Sequence, residues 1–223
     1  MPEIVVFLGP SLSRARAEQI LQADFRPPAK RGDIYRAARE GARVICLIDG
    51  VFFQDCSVAH KEVLYALEAG ARVVGASSMG ALRASELDVY GMEGIGSIYQ
   101  AYKSGRLVSD DEVALVFDPF TWEPRSEPLV NIRFNLDLAW QKGLIDASSK
   151  DRLFHCAQAQ YFPERTYERM LAAAEGLLPE KELQRFREFL AEEKRDFKME
   201  DAVLALQRAR EMANEGLRNK GES

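Results

Sequence analysis

Two adjacent serines, Ser77 and Ser78, stand in the segment GASSMGALRA at residues 75–84. The run Ala71-Arg72-Val73-Val74-Gly75 before them reads as a short buried strand, and Met79 to Leu87 after them reads as a helix with an apolar face. A strand that turns directly into a helix around a reactive hydroxyl needs small residues two positions to either side, because the turn is tight. Ser78 meets that requirement with Ala76 and Gly80, whereas Ser77 would have the bulky Met79 at its plus-two position. Ser78 is therefore the candidate nucleophile. At a helix start the unpaired backbone N–H groups and the positive end of the dipole also favour an oxyanion or a bound anion. The same position equally suits a serine that serves only as a helix cap.

A serine hydroxyl at neutral pH needs a base. The run 55–67 reads as the start of a helix, with Ser57 as its cap and Val63, Leu64 and Leu67 on one apolar stripe. His60 and Lys61 fall in its first turn, where the dipole disfavours a cation. An amine that is also desolvated would have reason to shed its proton, as a Ser-Lys pair requires. His60 is the rival base, since imidazole titrates near neutrality. The alternative for Lys61 is a solvated helix face.

The elements that must position these groups repeat as strand, loop and helix. Ile4 to Leu8 is a first strand, followed by Gly9-Pro10-Ser11-Leu12-Ser13 and a helix to about Leu21. Asp33 caps a helix from Ile34 to Glu40, Gly41 stops it, and Arg43 to Ile48 forms the next strand, which Asp49-Gly50 turns. Near-continuous apolar strands alternating with helices indicate a parallel sheet covered on both faces. The expected fold class is α/β, a parallel sheet flanked by helices in the N-terminal part, followed by a helical C-terminal region. Ligands of such sheets bind beyond the carboxyl ends of the strands. That rule gathers Gly9, Ser11, Asp49, Ser77, Ser78, Met79 and Gly80 at one edge, and Lys61 joins them if its helix begins there. The boundary is expected between an α/β core over 1–130 and a helical region over 131–223, packed on the core or used for partner binding.

Composition narrows the classes. The 223 residues carry a net charge of -5, which argues against general nucleic-acid binding and leaves room for a local basic patch to steer an acidic protein partner. Three cysteines without C-x-x-C spacing look like reduced cytosolic thiols, and two histidines without H-E-x-x-H spacing point to no bound metal. Met-Pro-Glu followed by Ile4 lacks the basic flank and apolar length of a secretory signal. No apolar run approaches the roughly 20 residues of a membrane-spanning helix. The expected setting is the cytoplasm.

The middle of the chain is less regular. Gly91-Met92-Glu93-Gly94-Ile95-Gly96 follows a helix, so it reads as a turn rather than a dinucleotide fingerprint. Ser109-Asp110-Asp111-Glu112 has the spacing of a capping box, and its carboxylates could instead bind a cation or orient Arg83 or Lys61. A loop with Pro119, Pro124 and Pro128 holds Phe120 and Trp122, either over the crevice or packed locally. From Asn131 the pattern is helical, with a last amphipathic helix from Met199 to Ala213. Arg133 and Arg165 are candidate anion contacts, and surface salt bridges are the commoner role for such residues.

Several stretches together carry a resemblance to the TfuA-like proteins. They are Gly9-Pro10-Ser11-Leu12, Pro27-Pro28-Ala29 with Gly32-Asp33, Ile48-Asp49-Gly50-Val51-Phe52, Val58-Ala59-His60-Lys61-Glu62, Gly75 to Leu87, Gly91-Met92, Asp110 to Ala114, and Val130-Asn131-Ile132-Arg133. Ala59 departs from the aromatic residue usual before the His-Lys pair. The resemblance implies a companion of YcaO enzymes in peptide backbone thioamidation. It implies a hydrolase-like Ser-Lys pair, on Ser78 and Lys61 here, that releases sulfide from a thiocarboxylated, ThiS-like sulfur-carrier protein. Met79 and the Gly9 loop would hold the oxyanion, with His60, Arg83, Asp111 and Arg133 in support or binding. No cofactor is expected on this chain, since ATP is used by the YcaO partner, which also handles the precursor peptide. The alternative is a non-catalytic adaptor that brings peptide or carrier to YcaO. A nucleotide site at the Ser78 helix is disfavoured by the missing G-K-[ST] and G-x-G-x-x-G signatures.

Overall fold

The computed structural model describes residues 3–52 and 56–221; Asp55, at the head of the helix start read from sequence, lies outside them. The chain forms two compact units, Met1–Asp110 with Lys198–Ser223, and Asp111–Phe197.

The first unit is built on five parallel strands. They are β1 (Ile4–Phe7), β2 (Asp24–Arg26), β3 (Val44–Leu47), β4 (Arg72–Ala76) and β5 (Glu93–Ile95), in the order β2-β1-β3-β4-β5. β1 pairs with β3 from Ile4↔Val44 to Phe7↔Leu47, and β3 with β4 from Val44↔Arg72 to Leu47↔Gly75. The three central strands are runs of β-branched and other apolar residues because both faces are covered. On one face Val5, Phe7, Ile45, Leu47 and Val73 pack with α2 (Asp33–Arg39), α3 (His60–Glu68) and α4 (Met79–Leu87). On the other face Ile4, Val6, Val44, Cys46, Val74 and Ala76 pack with α1 (Arg14–Ile20) and with Ala202, Ala205, Leu206 and Ala209 of α10 (Phe197–Gly221). Burial between these layers pushes the Cys46 thiol pKa well above its usual range.

Three elements differ from the pattern read in the sequence. β2 is an edge strand of three residues, too short to show a period. The glycine-rich stretch read as a turn contains β5 and opens α5 (Gly96–Lys103). The C-terminal helix, expected with the helical region, completes the core of the sheet unit.

The second unit is helical. Its helices are α6 (Leu129–Gln141), α7 (Ala147–Gln158), α8 (Tyr167–Ala174) and α9 (Glu180–Glu193), and Leu129, Ile132, Leu136, Leu153, Met170 and Phe186 are among its core residues. Asp146 and Thr166 cap α7 and α8 by accepting from the Ser149 and Arg169 N–H groups. The proline-rich loop folds on itself: Phe117 and Trp122 lie 5.3 Å apart, and Asp118 accepts from the N–H groups of Phe120 and Thr121. Residues Asp110–Glu112 make one 3-10 turn, and Glu112 pairs with Arg133.

Candidate functional site

The strand order places a switch point between β1 and β3, whose following connections leave toward opposite sides, and the crevice of such a sheet lies there. The residues that follow β1, β3 and β4 meet at that carboxyl edge. Asp49 is buried and is the centre of the meeting. One of its oxygens accepts from the N–H groups of Gly9 (2.8 Å) and Ser11 (3.1 Å), and the other from the Ser11 hydroxyl (2.6 Å). The Ser77 hydroxyl in turn donates to Ser11 Oγ at 2.8 Å. Asp49 thus accepts three hydrogen bonds and, through Ser11, ties three loop ends together, an arrangement that burial makes costly to break.

The turn between β4 and α4 is strained at a specific residue. Ser77 has φ +66°, and the Ser78 N–H donates to Ala76 O at 2.8 Å across it, closing a three-residue turn. A positive φ on a residue with a Cβ costs about 1–2 kcal/mol and persists where the surroundings over-determine it. Here they do. A Cβ on Gly80 would stand 1.8 Å from Leu47 O, and one on Gly75 would stand 2.3 Å from Gly80 O. The helix start is therefore pressed directly onto β3 and β4. The small residues of the motif exist for that approach.

Ser78 occupies the N-cap position of α4, but its side chain makes no capping hydrogen bond. Its hydroxyl instead accepts from Lys198 Nζ at 3.1 Å. Both residues are 2% exposed. Lys198 sits in the first turn of α10, and Asp201 in the next turn anchors that helix. The Asp201 carboxylate accepts from the N–H groups of Ser97 (2.9 Å) and Ile98 (2.8 Å) and from the Ser97 hydroxyl (3.2 Å), which cap the start of α5. It fills the space beside Gly96, where a Cβ would come within 2.2 Å of its Cγ. Burial raises the Asp201 pKa to about 6, against the opposing effect of the Ile98 and Ser97 donors.

The residues singled out in the sequence separate into three groups. Gly9, Ser11, Asp49, Ser77, Ser78, Met79 and Gly80 come together at the sheet edge as expected. Lys61 is not the lysine at Ser78: it is exposed at the first turn of α3, beside Arg31, Tyr35, Glu62 and Tyr65. The reason is rotational. Glu62, Val63 and Ala66 are the buried positions of α3, and Lys61 does not share their face. His60 Nε2 lies 2.9 Å from Glu86 Oε2, and Arg83 donates to Val58 O and Glu86, so these residues join α3 to α4 rather than serve the hydroxyl. Asp111 and Arg133 belong to the helical unit. There Asp111 pairs with the buried Arg165 at 2.8 Å, and Arg133 pairs with Glu112 over the ring of Phe154.

Lys198 is the residue that sequence reasoning missed. Its signal was present: Lys198, Ala202, Ala205 and Ala209 follow a four-three-four spacing, so a lysine stands on the buried stripe of an amphipathic helix. A helix start taken at Met199 left it outside the pattern.

Fold and site together define an α/β protein of doubly wound topology that presents a serine at a strand-to-helix turn to a buried lysine. Residues 49–166, a little over half the chain, match the model of the TfuA-like protein family, and the chain belongs to that family. The matched stretch includes Asp49, Ser77 and Ser78; Ser11 and Lys198 lie outside it. No curated protein matches the chain. Membership supports a role associated with YcaO-dependent thioamidation. Among the described residues, no helix is long and apolar enough to cross a membrane.

Proposed function

We propose that this protein hydrolyses the C-terminal thiocarboxylate of a small ThiS-like sulfur-carrier protein, releasing sulfide for YcaO-dependent thioamidation, with Ser78 as nucleophile and Lys198 as its base. The observation that carries the reading is the Lys198 Nζ to Ser78 Oγ hydrogen bond at a helix N-terminus. A serine used only as a cap would spend its oxygen on the helix N–H groups, and Ser78 does not.

The Ser78 oxygen attacks the thiocarboxylate carbon while its proton passes to Lys198 Nζ. The step requires the neutral amine, the form that desolvation favours. The N–H groups of Gly80 and Ala81 are taken by the carbonyls of Ile48 and Ser78, which leaves Met79 as the helix-start donor for the oxyanion. Collapse breaks the C–S bond, and the lysine returns the proton to the leaving sulfur. Water then attacks the acyl ester with Lys198 again as base, so that thiocarboxylate and water become carboxylate and hydrogen sulfide. A slim extended tail, rather than a globular face, suits a hydroxyl this enclosed. Cofactor chemistry stays with the YcaO partner, which activates the peptide amide with ATP.

The adaptor reading requires carrier binding without turnover. Ser78→Ala tests it: the hydrolase reading expects carrier binding retained and sulfide release abolished. Release undiminished in that variant would refute it.

A further inference from the structure

Between the N-terminal turns of α2 and α3 lies an open groove of about 370 Å³, lined by Arg31, Gly32, Tyr35, Ala59, Lys61, Glu62 and Tyr65. Its floor is aromatic, with the Tyr35 and Tyr65 ring centroids 4.5 Å apart. Its one carboxylate is spoken for, because Glu62 accepts from the N–H groups of Gly32 (2.7 Å) and Ala59 (3.0 Å). The rim is cationic. Lys61 and the neighbouring Lys30 are exposed and form no ion pair among the described residues, and Arg39 lies against the two tyrosines, bonded to the Tyr35 hydroxyl and over its ring. A local positive rim around an apolar floor is the complement of an acidic segment with an apolar side chain at its centre.

The groove also faces the right way. In parallel strand-helix-strand units each helix begins at the carboxyl edge of the sheet, and the loop before α2 is tied there: Ala29 N–H donates to Asp49 O and Val51 N–H to Ala29 O. Ser78 lies beyond the carboxyl end of β4, at the same edge.

We propose that this groove docks an acidic face of the carrier protein whose tail is processed at Ser78, with carboxylates on Lys61, Lys30 and Arg39 and an apolar side chain over the tyrosine pair. The partner's identity rests on the function proposed above; the charge and shape required of it rest on the groove alone.

The test is a fluorescence-anisotropy titration of the labelled carrier, in its carboxylate form, against the full-length protein. It compares wild type, Lys61→Glu/Arg39→Glu and the charge-conserving Lys61→Arg/Arg39→Lys. Charge reversal should raise Kd about tenfold or more, equivalent to about 1.4 kcal/mol, and added salt should weaken wild type far more than the reversed variant. The conservative pair should bind as wild type, and sulfide release at saturating carrier should keep its rate in all three. An unchanged, salt-independent Kd would overturn the proposal, as would loss of YcaO binding with carrier binding intact, which would give the groove to YcaO. If wild type binds the carrier in this charge-dependent way yet releases no sulfide, the Ser78 reading fails and the groove stands.

Discussion

The first turns of α3 and α10 each carry a lysine, and the two could hardly be used more differently. Lys61 stands two residues past a helix cap, in a stretch that the family model covers, and it faces solvent beside two tyrosines. Lys198 lies 120 residues from Ser78 in sequence, is buried, and donates to its hydroxyl. Proximity in sequence and a favourable dipole argument therefore selected a lysine that does not reach Ser78. What separates them is helical phase: one falls on the exposed face and the other on the stripe that covers the sheet. An amine held out of water beside a hydroxyl can act on it, whereas an amine in water stays an ion and attracts other ions.

A double-mutant cycle on sulfide release separates the two lysines most strongly. Ser78→Ala should lower kcat by at least about 10³-fold. Adding Lys198→Ala should lower it little further, because the two act as one unit. Coupling of that kind between Ser78 and Lys61 instead would reverse the assignment.

Glycine substitutions contrast the same two regions by stability. Gly80→Ala drives a Cβ into the Leu47 carbonyl and should destabilise the fold by about 3 kcal/mol or more, read from denaturant midpoints. Gly32→Ala, at the α2 cap lining the groove, has φ +90° and open space around it, so only the backbone strain of about 1–2 kcal/mol should appear.

Asp201, which anchors the helix carrying Lys198, gives that region a pH signature. Burial raises its folded pKa from the ordinary carboxylate value of 3.8 to about 6, so over that interval the folded state holds a proton that the unfolded state has lost. Its effect on stability is therefore most favourable at low pH, declines as pH rises through this window, and is flat above it. Asp201→Asn should remove that decline, measured as the difference between the two proteins' unfolding free energies from pH 4 to 7.

The smallest effect belongs to Ser77. Ser77→Gly relieves the positive φ and Ser77→Ala does not, while both lose the hydrogen bond to Ser11. Glycine should be the more stable of the two by about 1 kcal/mol in thermal unfolding.

Much of this architecture was legible in the sequence because it is local. The apolar runs at Ile4, Val44 and Val73 announced buried parallel strands, and the loop-end rule brought Gly9, Asp49 and Ser78 to one edge before any contact was known. Met79 to Leu87 matched the observed helix end to end. The short strands at Asp24–Arg26 and Glu93–Ile95 were not legible, since three residues carry no period and their pairing is supplied by neighbours. The position of Lys198 was hidden for a related reason. Which lysine meets Ser78 is decided by how the last helix packs on the sheet, a long-range fact to which the alanine spacing of that helix was the sole local clue.

Pairing of Ser78 with Lys198 is tested by sulfide release from the thiocarboxylated carrier by Lys198→Ala and Lys61→Ala side by side, each shown to be folded and measured at saturating carrier. The pair described here predicts a loss of about 10²–10⁴-fold in Lys198→Ala, the range of a missing general base, and a rate within about twofold of wild type in Lys61→Ala. Full activity in Lys198→Ala with loss in Lys61→Ala would contradict it.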